Sequence, residues 1–321
     1  MKGPTHPAIR IAVTIIAFIV FILTLILSFL GNVPIGVGDE NSTENILGGV
    51  FINTIPDLSA RYPSNLNAAS WTFNIIWPVI FLYNFVSVIY MLVSLCLPKD
   101  KSPIMREPAL MPVGSIIFWT LGWALALSWI FANDREILGL AMFFILTGCW
   151  STYVALGLSY RSYYKDIQTL EENSNQMLWL VRIIIHNGYG ILAAWTTCAW
   201  KLMLATTITY EDSRGTDNYP AKLNGSLTSE DAGTISLSIL LVEIIVWFIL
   251  ENFVFERYCR YTLSIYPTLI FAFSGVVTGM YVTPFSRNLI LALVGLILVI
   301  LAFFARVGLV IYRHRNRPKF A

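Results

Sequence analysis

Two ionisable side chains stand where an apolar chain can least accommodate them. Glu243 lies about ten residues into the apolar run 233–255, and Lys201 about nine residues before the end of the run 177–210. At 1.5 Å of helix rise per residue each sits roughly 15 Å from its end. A charge at that depth has to be paired, neutralised or used. The two runs are consecutive and of opposite direction, so a Lys201–Glu243 pair is geometrically available. It reads either as a tie between helices or as a site for a substrate, an ion or a proton. A second polar patch holds Arg182 and His186, four residues apart and so on one helix face, with Asn187 beside them and Glu251 and Asn252 at comparable depth in the next run. Arg182 and Glu251 are expected to pair near the ends of their helices. His186 is read as a buried hydrogen-bonding imidazole, because no second His or Cys lies at ligand spacing. Arg306, six or seven residues from the end of the last run, is expected to reach outward along its aliphatic stem. Covalent chemistry has no foothold: three His are present, two of them near the chain ends, and no nucleophile elbow, zinc motif or nucleotide loop occurs. The chain is read as a non-enzyme without cofactor or metal.

The elements that must carry these residues follow from composition. Of 321 residues, 56% are apolar and only 12% charged, and the mean hydropathy is +0.68. These values exclude a water-soluble domain and point to an integral membrane protein. Eight apolar segments can be drawn, at about 10–30, 72–97, 112–132, 136–160, 177–210, 233–255, 262–281 and 288–312, with long outer loops at 31–71 and 211–232. The fold class is therefore an all-α polytopic transmembrane bundle, a single integral membrane domain of about eight spans. The third and fourth segments are separated by Asn133, Asp134 and Arg135, enough for a tight helix hairpin. Lys2, Arg10, Lys99, Lys101, Arg106, Arg161, Lys165, Arg257, Arg260 and the basic tail all fall on one side, which predicts both termini to be cytoplasmic. Two sequons, at Asn41 and Asn224, fall in the two long loops on the opposite side. Together they favour the plasma membrane or a secretory-pathway endomembrane. Cys96, Cys149, Cys198 and Cys259 imply no disulfide framework. Nucleic acid is not expected as a partner, because the one basic block, Arg313, Arg315, Arg317 and Lys319, reads as a stop-transfer flank. The partners expected are membrane lipid and a hydrophobic small molecule, and a homo-oligomer is compatible with the sequence. The acidic residues of the outer loops, among them Asp57, Glu230 and Asp231, read as solvated faces.

Tryptophan is dense, with 10 residues. Trp71 and Trp179 fit interfacial belts, whereas Trp77, Trp123, Trp150, Trp195, Trp200 and Trp247 fall inside spans, where indoles either pack together or line an aromatic cavity. Asn84, midway along the second span, is expected to face a neighbouring helix. Three stretches carry a resemblance: Ile55–Pro63 leading to Ala69-Ser70-Trp71-Thr72-Phe73-Asn74-Ile75-Ile76-Trp77; a hairpin with Trp123, Ser128-Trp129-Ile130-Phe131 and Ile137-Leu138-Gly139-Leu140; and a span from Trp179 through Tyr189-Gly190 and Ala194-Trp195-Thr196 to Trp200. Residues 55–210 so resemble a divergent, extended member of the tryptophan-rich sensory protein (TspO/MBR, translocator protein) family. The resemblance implies that the second to fifth spans form part of a five-helix core around a hydrophobic cavity, lined by Trp77, Tyr83, Asn84, Trp123, Trp129, Trp150, Tyr189, Trp195 and Trp200. The chain departs from the family in its eight segments, in Asn67-Ala68-Ala69 where a Pro-rich entrance is usual, and in lacking a Pro around Arg182–His186.

Three functions are expected on these grounds. The first is a membrane protein that binds, and in its stronger form senses or transports, a sterol, lipid or tetrapyrrole-like molecule within the bundle. The second is an ion- or proton-coupled transporter or channel using Lys201 and Glu243. The third is a purely structural membrane protein, whose interior would be packed solid.

Overall fold

The computed structural model describes residues 6–30, 50–53, 55–211, 223–225, 227–280 and 286–316. Among them every regular element is helical: α1 Pro7–Leu30, α2 Ile55–Arg61, α3 Ser70–Leu95, α4 Val113–Asp134, α5 Leu138–Lys165, α6 Ile167–Asn173, α7 Asn175–Leu180, a π-helical turn Val181–His186, α8 Asn187–Thr209, α9 Ser229–Ile249, a second π-helical turn Leu250–Val254, α10 Glu256–Cys259, α11 Ile265–Met280 and α12 Arg287–Arg315. Among the described residues seven continuous helices are long and apolar enough to cross a membrane, the fifth running unbroken from Asn175 to Thr209 through its π-helical turn. Of the segment expected over 262–281, the described residues are helical from Ile265 to Met280, 16 residues, with 262–264 outside the helix. The preceding loop is held by Asn187 instead, which accepts from the backbone N–H of Leu263 and Ser264 at 2.9 and 3.0 Å.

The surface is that of a protein dissolved in hydrocarbon. On α1 the buried stripe is Arg10, Thr14, Ala17, Phe21, Thr24 and Ser28, while Ile9, Ile15, Ile16, Ile19, Leu23 and Phe29 are exposed. Small and polar residues facing protein with branched apolar residues facing outward is the inverse of a soluble amphipathic helix. The chain is an integral membrane protein by this criterion as well as by helix length.

The most extensive helix–helix contact joins α4 to α5. A Cβ placed on Gly148 would meet the Gly122 carbonyl and Leu125 Cβ at 3.3 Å, and one on Gly122 would meet Thr152 Oγ1 at 2.9 Å. The turn linking them is as short as the sequence suggests but lies two residues further along. Here α4 continues through Asp134 and the turn is 135–137, with Glu136 at φ 56°. Asp134 Oδ1 accepts from the backbone N–H of Ile52 and Asn53 at 2.8 and 2.7 Å, and the buried Glu136 pairs with Arg61 and accepts from Tyr62. These carboxylates pin α2 and its flanks over the hairpin.

The opposite end is the basic face. Arg10, at the start of α1, donates to the carbonyls of Ile104 and Arg106 in the α3–α4 connection. That connection is tied to the end of α5 by Ser159 donating to Leu110 O at 3.1 Å, and α5 packs on α10. Arg313, near the end of α12, reaches Glu256 of α10 at 3.8 Å. The first turn of α1 and the last turn of α12 therefore share this face.

Candidate ligand cavity and buried charge clusters

α5 and α9 each pack along α8 and diverge from one another, while α10 bridges their ends at the basic face. The wedge between them is an apolar cavity of about 680 Å³, backed by α8 and α11. Its back wall is low because Ala193, Ala194 and Thr197 of α8 are small, Trp200 of the same helix standing at one end. Gly157 of α5 adds to the void: a Cβ there would meet nothing within 4 Å. The rims are Trp150, 61% exposed, and Val242, 60% exposed, so the cavity opens sideways onto the lipid-facing surface. It is a groove along the helices rather than a pore down the bundle axis.

One end of the groove is closed by charge. Lys201 Nζ lies 2.7 Å from both carboxylate oxygens of Glu243 and 3.0 Å from the centre of the Trp200 ring. Lys201 is 2% exposed and Glu243 41%, so the carboxylate forms groove wall and the ammonium sits behind it. Beside them Tyr153 and Thr197, both groove-lining, share a hydroxyl hydrogen bond, and Cys149 Sγ lies 3.4 Å from Thr197 Oγ1. At the other end stand Arg161, Phe255 and Tyr258. From Trp150 to Arg161 along α5 is eleven residues, about 16 Å of helix.

The polar patch nearer the basic face is arranged differently from the sequence expectation. Glu251 does not pair with Arg182. It is fully buried in the second π-helical turn, with Oε1 3.0 Å from Arg306 Nε and Oε2 accepting from Tyr266 at 2.8 Å. Nor does Arg306 extend outward. It is 0% exposed and donates to Asn252 Oδ1 at 3.0 Å and to the Cys259 carbonyl at 2.9 Å. The reason is rotational: its position on α12 faces α9 and α10, so groups bared by the π-helical turn satisfy the guanidinium without recourse to water. Burial pushes the Cys259 thiol up to about 12. Arg182 instead donates to Tyr163 Oη at 2.6 Å, lies 4.0 Å from the Tyr261 ring centre and is 3.5 Å from Glu171. His186 is buried, Nε2 2.9 Å from Ser159 Oγ, with its ring edge-on to Tyr160 and Tyr163.

Of the residues proposed to line a cavity, Trp150 and Trp200 border the groove, as does Glu243. The others are brought together elsewhere, in an aromatic core between α1, α3, α4 and α8. Trp123 meets Phe21 at 4.9 Å and Phe81 at 5.3 Å between ring centres. Trp77 packs on Trp129 at 6.4 Å and on Trp195 at 6.2 Å. Tyr189 stacks on Trp119 at 5.8 Å, whose indole N–H donates to Asn84 Oδ1 at 3.1 Å. Tyr83 donates to the Ile183 carbonyl exposed by the first π-helical turn, at 2.6 Å. The rings fill one another's space, so the interior Trp density marks this core more than the void. Sequence reasoning missed Trp119, Tyr153, Thr197, Gly157 and Arg161. The signal available was a run of small residues, Ala193, Ala194 and Thr197, opposite Gly157 in a chain otherwise rich in large ones.

Asn224 is exposed beside Gly225, which adopts φ +84°, and Asn41 lies outside the described residues. Two outer acidic residues are not simply solvated. Asp231 closes a capping box with Thr228 and lies 2.7 Å from Arg287, and Glu230 accepts from the Arg287 backbone N–H at 3.1 Å. Among the described residues no group of three or more His, Cys, Asp or Glu could hold a metal ion. Comparison with known proteins finds no matching family model, no matching curated protein and no matching solved structure.

Proposed function

We propose that this chain is an eight-span membrane protein that binds a hydrophobic molecule drawn sideways from the bilayer into the α5–α9 groove. One observation carries the reading: an apolar cavity of about 680 Å³ that opens to the lipid-facing surface between two spans. That volume lies within the range of small-molecule sites, roughly 300–1,000 Å³. In this reading α11 is the eighth crossing, the basic face is cytoplasmic, and the protein does no covalent chemistry. The groove borders two of the spans that carry the resemblance to the tryptophan-rich sensory proteins, and kinship with that family is part of the proposal.

The test is mass spectrometry of molecules retained after gentle transfer into nanodiscs, comparing wild type with Gly157→Phe. A phenyl ring at 157 has open space to enter and would fill the groove. A specific hydrophobic species kept by wild type and lost from the folded variant is the expected result. Equal retention by both, or nothing beyond bulk lipid, overturns the reading.

A second reading is favoured by the position of Glu243, whose carboxylate is both groove wall and partner of Lys201. In it, protonation of Glu243 frees Lys201 and couples groove occupancy to an ion or proton. Flux in proteoliposomes that depends on pH and is abolished by Glu243→Gln supports it. Unchanged flux removes it.

A further inference from the structure

Given that the groove is a binding site, the reading proposed for it, its depth and polarity specify more than a hydrophobic ligand. Its length, about 16 Å from Arg161 to Trp150, matches half of a hydrocarbon core about 30 Å thick. It begins within four residues of the end of α5 at the basic face, where interfacial side chains sit. It stops at the Lys201–Glu243 pair and Trp200, near mid-membrane. The slot is thus one leaflet deep, which suits an acyl chain and not a continuous path from one aqueous side to the other.

The polar mouth adds a sign. Of the neighbouring arginines of the basic face, Arg106 is committed to Asp166, Arg182 to Tyr163 and Glu171, Arg260 to Glu256, and Arg306 to Glu251, while the exposed Arg257 does not line the groove. Arg161 is exposed, lines the mouth, and among the described residues has no hydrogen-bond or ion-pair partner. An exposed, unpaired guanidinium at headgroup depth, above a predominantly apolar slot whose one carboxylate, Glu243, stands at the far end, is complementary to a phosphate with a chain attached.

We propose that the groove holds an anionic phospholipid of the basic-face leaflet, with one acyl chain along α5, α8 and α9 and its phosphate on Arg161. The phosphate belongs to the lipid and not to a soluble anion, because the groove below Arg161 is predominantly apolar and opens sideways to the bilayer between Trp150 and Val242.

Photo-crosslinking distinguishes the outcomes. The full chain is placed in phosphatidylcholine nanodiscs doped with either phosphatidylglycerol or phosphatidylcholine carrying a photoactivatable acyl chain, and adducts are mapped by peptide. Wild type is expected to label groove peptides of α5, α8 and α9 about fivefold more with the phosphatidylglycerol probe, the scale of one arginine at a membrane surface. Arg161→Gln should abolish that preference and Arg161→Lys should keep part of it. Both variants should melt with wild type, since Arg161 ties nothing together. Excess glycerol 3-phosphate should not compete, and competition by it would overturn the lipid assignment in favour of a soluble phosphate. Equal labelling of the groove by both probes, or displacement of both by a sterol, overturns the anionic-lipid inference while leaving the groove as a binding site. Absence of groove adducts with either probe overturns the binding site itself.

Discussion

On α5, Gly148 and Gly157 are nine residues apart, two and a half turns, and so face opposite ways. Gly148 lies against the Gly122 carbonyl of α4, where even a methyl group would be tight, whereas Gly157 looks into open space. One helix therefore presents a closed face, packed backbone to backbone, and an open face that leaves room for something else. The same division separates the aromatic core around Trp119 and Trp123 from the groove rim at Trp150, and the fully buried Arg306–Glu251 pair from the Lys201–Glu243 pair at the groove wall. In hydrocarbon, stability comes from packing and satisfied polar groups rather than from exclusion of water. The closed half thus carries the fold, and the open half is free to carry the function.

The strongest test of that division removes one partner from each ion pair. Arg306→Met leaves Glu251 buried without its cation, and breaking such a pair costs about 3–5 kcal/mol. A large fall in thermal stability in detergent is expected, with much of it recovered in Arg306→Met/Glu251→Gln. Lys201→Met should cost less, because Glu243 borders an open groove. Equal losses for the two single variants would mean that the groove end is as closed as the π-helical cluster.

Aromatic truncation comes next. Trp123 is 1% exposed and in contact with Phe21, Phe81 and Trp119, so Trp123→Ala should cost about 3–5 kcal/mol, toward the lower end where neighbouring rings can close in. Trp150→Ala, at the rim, should stay within about 0.5 kcal/mol of wild type yet change what the groove retains. If Trp150 proved the more destabilising, the rim and the core would have to exchange roles.

The glycines give the cleanest contrast because the substitution is the same. Gly148→Leu forces α4 and α5 apart and should cost about 1–3 kcal/mol or more. Gly157→Leu enters the void and replaces a poor helix former, so stability should hold or rise by up to about 1 kcal/mol while ligand retention falls. Chemical or thermal unfolding of both variants, beside a lipid-retention assay, separates the two faces in one experiment.

Much of the architecture can be read in the chain, because apolar runs, charge asymmetry and loop length are properties of single segments. The proximity of Lys201 to Glu243 is readable for the same reason: two consecutive antiparallel helices place residues of equal depth side by side. Arg306 is not readable in this way. Its depth permits it to extend outward, and only the rotation of α12 and the carbonyls released by the π-helical turn at Leu250–Val254 decide that it turns inward. The groove eludes the sequence for a related reason. Abundant tryptophans announce where matter is, whereas a cavity is made by what is small, here Gly157, Ala193 and Ala194, and by the divergence of α5 from α9. Divergence is a property of the assembled bundle.

The smallest effect concerns the seal at the groove's basic end, α10. Glu256 there pairs with Arg260 and lies 3.8 Å from Arg313. Burial works against its ionisation, but the hydrogen bond and charge of Arg260 and the charges of Arg313 and Arg306 outweigh it and hold the carboxyl below the usual glutamate range. A carboxyl depressed on folding contributes stability that is fully present above its unfolded value, about 4.3, and is lost as pH falls through the lower folded value. For a partly exposed pair the contribution is at most about 1 kcal/mol. Wild type should therefore melt slightly above Glu256→Gln near neutral pH, and the difference should vanish on acidification below the ordinary glutamate value. Gly148→Leu, by contrast, should remain destabilised by the same amount across that range, since the atoms it would meet, on Gly122, Leu125 and Ala126, belong to no titrating group. A Glu256→Gln difference that persisted in acid would show that the side chain's packing, and not its charge, closes the end of the groove.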